Sequence, residues 1–460
     1  MTVPAPAFHA ADLEPARFAE QTYATRRRRV RVDAALAFGL VICLLTLIPS
    51  RLIIPGTSAD VGRPGTVLCT VMFFWWVGTR GNPRLAMPGP QPVRWAVLLY
   101  LLSLLASYVI GFERGLTPLE ANAADRALLA GGAAFIGAIL VAADGLSHWD
   151  RLRVALQVFV WCCVYMSFIG LLQKVLPVNI VEYMTVPGLS NLGIPGYQER
   201  GGGLRVAGTT THYLELAATL SLALPIAIHF AKFAASVRSR RWFGVAAFLI
   251  VAGILVTISR TGIISVVIAI LILMPLWTWR TRYNVIAMGV TAVVAMSAVQ
   301  PSTVRMFYDI FAGASDDSSI EVRTERYAMV GYYFSQRPWW GRGTGTWEPP
   351  MYQFLDNQWL RSALEVGTVG VIVLAVLHLT AIVLASIAFR RASSLADRHL
   401  CLVLISTQVV AMFIAYTFDS LTYTTYSLTL GMLIGICGAL WRFTHPSREV
   451  RTSTPRWFGT

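Results

Sequence analysis

Residues 242–279 read WFGVAAFLIVAGILVTISRTGIISVVIAILILMPLWTW, and Arg260 is the only charged side chain among them. About 20 apolar residues cross the hydrocarbon of a bilayer, so this run reads as two membrane spans, 242–259 and 261–279. The break between them is the tight stretch Ser259-Arg260-Thr261-Gly262. Working outward, further spans read near 32–49, 65–79, 95–111, 127–143, 154–176, 211–231, 284–299, 359–389, 399–418 and 420–441. The second of the twelve is short, and the tenth is long enough to begin above the membrane. The expected fold class is therefore an all-α integral membrane protein of about twelve transmembrane helices: a basic tail 1–31, helices 1–9 over 32–299, one long extracytoplasmic loop over 300–358, helices 10–12 over 359–441, and a second tail over 442–460.

Composition agrees. Of 460 residues, 55% are hydrophobic and 13% charged, with mean hydropathy +0.59; a soluble chain carries roughly twice that charged fraction. The first 25 residues are polar and Ala/Pro-rich, a tail rather than a signal peptide. The six cysteines fall in apolar spans without metal-ligand spacing, as small core residues do.

The net charge of +14 raises nucleic acid as a partner, but membrane topology accounts for it first. Cytoplasmic loops collect Lys and Arg. Starting from Arg26-Arg27-Arg28-Arg29 inside, the alternate loops carry Arg80, Arg84 and Arg94; Arg151 and Arg153; Lys232, Arg238, Arg240 and Arg241; Arg280 and Arg282; and Arg390, Arg391 and Arg398. The C-terminal tail adds Arg442, Arg448, Arg451 and Arg456. Every loop assigned to the inside is basic, both termini fall inside, and membrane lipids rather than nucleic acid are the expected surroundings.

Three outer regions are more than short turns: 177–210, the break at Arg260, and the loop 300–358, which includes Arg305, Asp309, Asp316 and Asp317. Long polar loops between spans commonly carry function. Arg260 has two readings, a helix-end arginine reaching to head groups or an anion ligand at a membrane-embedded site. Arg205 and Arg323 also fall outside, and guanidinium forks match phosphate oxygens in pairs. For Arg323 and Arg326, a solvated helical face with Glu321 and Glu325 as partners is the plainer account. Proton acceptors on the outer face are few. His212 precedes the sixth span. Asp356 stands at the start of the tenth, where it serves as a base or merely caps the helix. Glu365 lies two turns further on, where a carboxylate needs a partner or a role. His378, mid-span, reads as an interhelical hydrogen bond, and Arg51, in a short outer loop, as dispensable.

Four stretches together resemble the O-antigen ligase and O-antigen polymerase-like superfamily of bacterial membrane glycosyltransferases. Leu204-Arg205-Val206-Ala207-Gly208-Thr209-Thr210-Thr211-His212 is similar to that family's Arg-x-x-Gly-Thr-Phe-x-His-Pro-Asn stretch. Ile258-Ser259-Arg260-Thr261-Gly262 resembles its Ser-Arg-Gly stretch, and Arg323 through Pro338 to Gly341-Arg342-Gly343 its Arg, aromatic and Pro-x-x-Gly-x-Gly pattern. Asp356-Asn357-Gln358-Trp359-Leu360 through Glu365-Val366-Gly367-Thr368-Val369-Gly370 is similar to its His-Asn-x-Tyr-Leu and Glu-x-Gly-x-x-Gly ending. Two departures stand out: Asp356 occupies the place of the family's histidine, and Tyr213-Leu214 follow His212 in place of Pro-Asn.

The resemblance implies a glycosyltransferase of cell-surface polysaccharide assembly in the bacterial cytoplasmic (inner) membrane, with its active site facing outside. A glycan on a polyprenyl (undecaprenyl) diphosphate would be the donor and a hydroxyl of a glycan or lipid the acceptor, with no metal and no cofactor. Arg205, Arg260 and Arg323 would hold the diphosphate, with Arg326, Arg342 and Asn357 as secondary contacts. Asp356, His212 and Glu365 are the candidate catalytic residues. The competing readings are a transporter or flippase of a lipid-linked glycan, against which the charges gather outside rather than at paired broken spans near the midplane, and a cell-wall glycosyltransferase of the shape, elongation, division and sporulation type, against which the four motifs stand.

Overall fold

The computed structural model describes residues 33–82, 89–176, 179–193, 197–200, 203–299, 318–349 and 351–446, without the side chains of 197–200, 203, 288, 292–293, 295–299 and 318–325. Arg26–Arg29, Arg84, Arg305, Asp309, Asp316, Asp317, Arg448, Arg451 and Arg456 lie outside the described residues, as does the side chain of Arg323.

The chain is helical, with a helix at each of the twelve expected places: α1 Ala34–Thr46, α2 Pro64–Thr79, α3 Pro92–Arg114, α4 Pro118–Gly145, α5 Trp149–Val175, α6 Tyr213–Phe233, α7 Val237–Val256, α8 Arg260–Leu273, α9 Trp279–Val299, and, after the long loop, α12 Gly367–Arg391, α13 Leu395–Thr417 and α14 Thr424–Thr444. Among the described residues eight are long and apolar enough to cross a membrane (α3–α7 and α12–α14); α1, α2 and α8 are apolar but shorter. Two differences from the sequence reading concern the long loop. Residues 318–336 form a helix of their own, α10 Ser318–Gln336, and the expected tenth span is two helices, α11 Gln358–Glu365 and α12, joined at Val366. The break has a steric cause. Gly367 has φ +74°, and a Cβ there would meet Trp339 O at 2.3 Å, so the backbone of the Pro338–Gly345 loop crosses where a continuous helix would put a side chain.

The bundle is built around α14, the most deeply buried span, and α6. Small residues let backbones approach closely, which is how helices associate without a hydrophobic drive between them. On α14, a Cβ at Gly435 would lie 2.2 Å from Ile139 O of α4, and one at Gly431 within 3.0 Å of the Phe135 ring. The outward faces are apolar: Trp75, Trp95 and Phe248 are each more than two-thirds exposed, as lipid-facing surfaces are and water-facing ones rarely are. His378 Nδ1 meets Gln408 Oε1 at 3.1 Å across α12 and α13, as expected. All six cysteines are free, five of them buried.

The two ends of the bundle differ chemically. At one end Asp144 receives Arg94 through Nε (3.0 Å) and Nη2 (2.9 Å), Trp76 Nε1 (2.9 Å) and Arg80. Arg151 Nε meets Asp33 at 2.6 Å and Arg153 Nη2 meets Asp397 at 2.7 Å. These are arginines of the loops read as cytoplasmic, gathered on one side. The other end carries the α2, α4, α6, α8 and α14 N-termini, the two-stranded ribbon β1 Leu52–Ile53 with β2 Ser190–Asn191, the hairpin β3 Tyr197–Arg200 with β4 Gly203–Val206, and the loops around α10 and α11. At this end Arg51, read from sequence as a dispensable residue of a short outer loop, is buried: 5% exposed, with its Nε and Nη2 unpartnered. The ribbon closes over it, Leu192 N donating to its carbonyl at 3.0 Å.

Candidate functional site

The glycine-rich run after α10 sets the site's floor. Gly341 has φ +71°, and its Cβ would fall 2.4 Å from the Glu365 carbonyl. Only glycine fits, and the close approach lets Arg342 N bond Leu364 O (2.8 Å) and Gly343 N bond Glu365 O (3.0 Å). The C-terminal end of α11 is thus clamped by backbone alone. Arg342 itself is engaged in the fold: its guanidinium lies 4.7 Å from the Tyr333 ring centre and bonds Tyr352 Oη at 2.9 Å.

Asn357 is the N-cap of α11, its Oδ1 accepting from Trp359 N (3.0 Å) and Leu360 N (3.2 Å). The capping role considered for Asp356 therefore falls to its neighbour. Asp356 sits at φ +52° with its carboxylate 2.9 Å from Arg326 Nη1. So Arg326 pairs with a residue thirty positions on rather than serving a solvated face. The loop is anchored by buried Asp419, which accepts from Asn357 N at 3.0 Å; burial raises its pKa, opposed by Arg361. Among the described residues only Ile258 and Asp356 are non-glycines with positive φ. One immediately precedes Ser259-Arg260 and the other is a candidate base; sparsely populated backbone of this kind collects at functional sites.

His212 is the N-cap of α6: its Nδ1 accepts from Leu214 N at 3.2 Å. Burial pushes its pKa down to about 4, against the pull of Glu215 and Asp356. The ring is neutral at neutral pH, and with Nδ1 accepting, its proton sits on Nε2. Its ring centre is 4.4 Å from that of Tyr213 and 5.5 Å from that of Tyr423. Arg205, at the end of the β3–β4 hairpin, lies over Tyr213 (4.7 Å) and bonds its Oη at 2.8 Å, with Nε buried and unpartnered. Arg260 opens α8 behind its Ser259 cap. A Cβ on Gly262 would lie 3.2 Å from Ala217 of α6, so Arg260 starts its helix beside the first turns of the helix that His212 caps. Arg205, His212, Asp356, Arg326 and the start of α8 therefore share one end of the bundle. Arg323 precedes Arg326 by three residues on α10.

Beside this cluster lies a cavity of about 420 Å³ that Thr211 and Tyr423 help to line. Its wall includes Ala130 and Gly131 of the π-helical turn Leu128–Ala134 inside α4, a feature that recurs at functional sites. Glu365 lines it too. It is paired as its position demands, with Arg361 Nε at 3.0 Å and Trp347 N at 3.3 Å, while burial raises its pKa against that pull. Arg361 Nη2 reaches Glu348 at 3.2 Å. The cavity's arginines Arg63, Arg126 and Arg361 were not singled out from sequence. Arg361 carried a signal in its i,i+4 spacing to Glu365; Arg63, three residues after Asp60, and Arg126, directly after Asp125, read as ordinary charges at span ends. Among the described residues no group of three or more His, Cys, Asp or Glu side chains converges as metal ligands would.

Residues 245–375 match the family model described as O-antigen ligase, which supports the O-antigen ligase-like superfamily for this chain. The matched region spans three of the four motif stretches, from Ile258 to Gly370; the Arg205–His212 stretch lies before it. No curated protein matches the chain.

Proposed function

We propose that this chain, a multi-pass membrane protein with an O-antigen ligase-like region over 245–375, transfers a glycan from a polyprenyl diphosphate to an acceptor hydroxyl at the outer face of the bacterial inner membrane. The observation that carries this reading is the gathering of Arg205, His212, Asp356 and Arg326 at the end of the bundle opposite the basic loops. Arg205, Arg260 and Arg323 hold the donor's diphosphate. The acceptor oxygen attacks the anomeric carbon, the bond from that carbon to the diphosphate oxygen breaks, and the lipid diphosphate leaves with the electron pair. Fixed guanidinium groups neutralise the charge that develops there, and they need no reorganisation to do so. No metal enters the scheme.

A base must remove the acceptor's proton. His212 offers Nε2–H, because its other nitrogen is engaged by the α6 backbone, so it suits donation to an oxygen. Asp356 presents an ionisable carboxylate free of any capping duty, and its geometry supports it as the base; Glu365, held by Arg361, orients the floor. The test uses purified protein and lipid-linked donor in excess chelator. Wild type turns over, while Arg205→Ala, Arg260→Ala and Arg323→Ala each abolish transfer yet still insert, and lysine at these places recovers little, since an ammonium does not reproduce a fork. Near-normal product from two of the three alanine variants removes the diphosphate clamp; loss in chelator restored by magnesium moves the mechanism to another class.

A further inference from the structure

The cavity and the Arg205 cluster differ in charge. Six charged residues line the cavity: Asp60, Arg63, Arg126, Glu348, Arg361 and Glu365. Three are cationic and three anionic, so the lining sums to zero. Each cation also faces a carboxylate: Arg126 Nε is 3.2 Å from Asp60, Arg361 is 3.0 Å from Glu365 and 3.2 Å from Glu348, and Arg63 Nη1 is 3.9 Å from Glu215 behind the wall. Arg205, by contrast, is hydrogen-bonded to a tyrosine hydroxyl and stacked on its ring, with no carboxylate against it among the described residues. A dianion gains most at Arg205 and little in a wall whose charges are already matched.

What the cavity wall lacks is hydrogen-bond partners. Arg63 is 8% exposed and its Nε and Nη1 are buried with no hydrogen bond. Thr66, one turn along α2, is 1% exposed with its Oγ1 likewise unpartnered. Glu215 pairs with Arg63 only electrostatically: its Oε1 lies 3.9 Å from Nη1, beyond hydrogen-bond reach. Buried polar groups without partners are costly, and each calls for an explanation. Tyr100, Phe354 and Tyr423 line the same cavity. Charge-matched walls, unpartnered polar side chains and aromatic side chains fit a ligand that is uncharged, rich in oxygen and apolar on its C–H faces. The volume lies within the range of small-ligand sites.

We propose that the cavity is a subsite for an uncharged saccharide, whose ring and hydroxyl oxygens satisfy Arg63 and Thr66. This rests on the glycan-transfer reading above. Two sources present that chemistry: the acceptor glycan, and the sugars next to the donor's diphosphate.

Arg63→Gln and Thr66→Val separate them. Purified wild type and variants are assayed with lipid-linked donor and acceptor, and inhibition by inorganic pyrophosphate is measured in parallel. Losing one such contact raises the KM for the bound saccharide about tenfold, with kcat nearly unchanged. A rise in acceptor KM identifies the acceptor. A rise in donor KM that vanishes with a single-sugar donor identifies the donor's glycan. Inhibition by pyrophosphate stays at the wild-type level in both variants and weakens in Arg205→Gln. If neither KM moves, or if Arg63→Gln weakens pyrophosphate as Arg205→Gln does, the subsite is overturned. Thr66→Val removes one hydroxyl at nearly constant shape and keeps the test open should Arg63→Gln fail to fold. If wild type does not turn over the lipid-linked donor, the transfer reading fails by itself. The subsite is then decided by binding of the oligosaccharide released by mild acid from the organism's surface glycan, followed by tryptophan fluorescence. Binding to wild type that weakens about tenfold in Thr66→Val supports it, and equal or absent binding in both overturns it.

Discussion

Replacing Asp356 by asparagine isolates the proposed base from every structural duty at that place. Asparagine keeps the side chain's shape and tolerates the left-handed backbone (φ +52°) that Asp356 adopts. The α11 cap stays with Asn357. What is lost in the fold is one ion pair with Arg326 at 2.9 Å, in which the carboxylate side chain is 39% exposed. A pair so exposed contributes about 0–1 kcal/mol. Losing a positioned general base lowers kcat about 10²- to 10⁴-fold, which is ~2.7–5.5 kcal/mol of barrier at ~1.36 kcal/mol per tenfold. The two ranges do not overlap, so a stability effect cannot imitate a catalytic one. The assay pairs steady-state turnover of lipid-linked donor in nanodiscs with thermal unfolding of the same preparation. Asp356→Asn should unfold within about a kcal/mol of wild type while kcat falls at least a hundredfold. Asp356→His should retain turnover with its pH optimum moved upward, since an imidazole gives up its proton at a higher pH than a carboxyl group does. Asp356→Asn with kcat within twofold of wild type refutes the assignment.

Three further outcomes follow from the same geometry. His212 has its pKa depressed to about 4 in the fold against about 6.5 unfolded, so between those values the unfolded chain binds the extra proton and stability falls as pH drops from 6.5 towards 4; His212→Gln should remove up to about 2.5 kcal/mol of that acid loss in denaturation followed from pH 7.5 to 4.5. Gly341→Ala puts a Cβ 2.4 Å from the Glu365 carbonyl at φ +71° and should destabilise by about 2–5 kcal/mol, whereas Gly188→Ala, also at positive φ but in open space, should cost only about 1–2 kcal/mol; equal shifts in unfolding temperature would show that the clamp on α11 is not there. A cysteine at Ser318, in a cysteine-depleted background, should react with an impermeant maleimide in intact cells stripped of outer barriers, and labelling only after lysis would invert the topology.

Hydropathy along the chain was enough to place the twelve apolar helices, though not α10 or the separate α11, because the thickness of a bilayer sets the scale of a span and a local count of apolar residues measures it. The alternation of arginine loops was legible for the same reason: it is a property of loops taken one by one, and Arg80, Arg94, Arg151 and Arg153 do gather at one end. Spacing also exposed Arg205, His212, Asp356 and Glu365 as polar groups out of place. It did not say what each was doing. That Asn357 rather than Asp356 caps α11, that His212 spends Nδ1 on its own helix, and that Arg51 is buried under a ribbon are decided by backbone angles and by strands whose partners lie far off in sequence. The break at Val366 arises from a loop crossing at Trp339, which no window over 359–389 contains. The cavity lay furthest from view. Arg63, Arg126 and Arg361 sit on three different segments and meet only when α2, α4 and α11 pack around α14. Charge balance in a cavity depends on which helix faces which, and that register is set by close contacts such as Gly435 on Ile139, not by the composition of any one span.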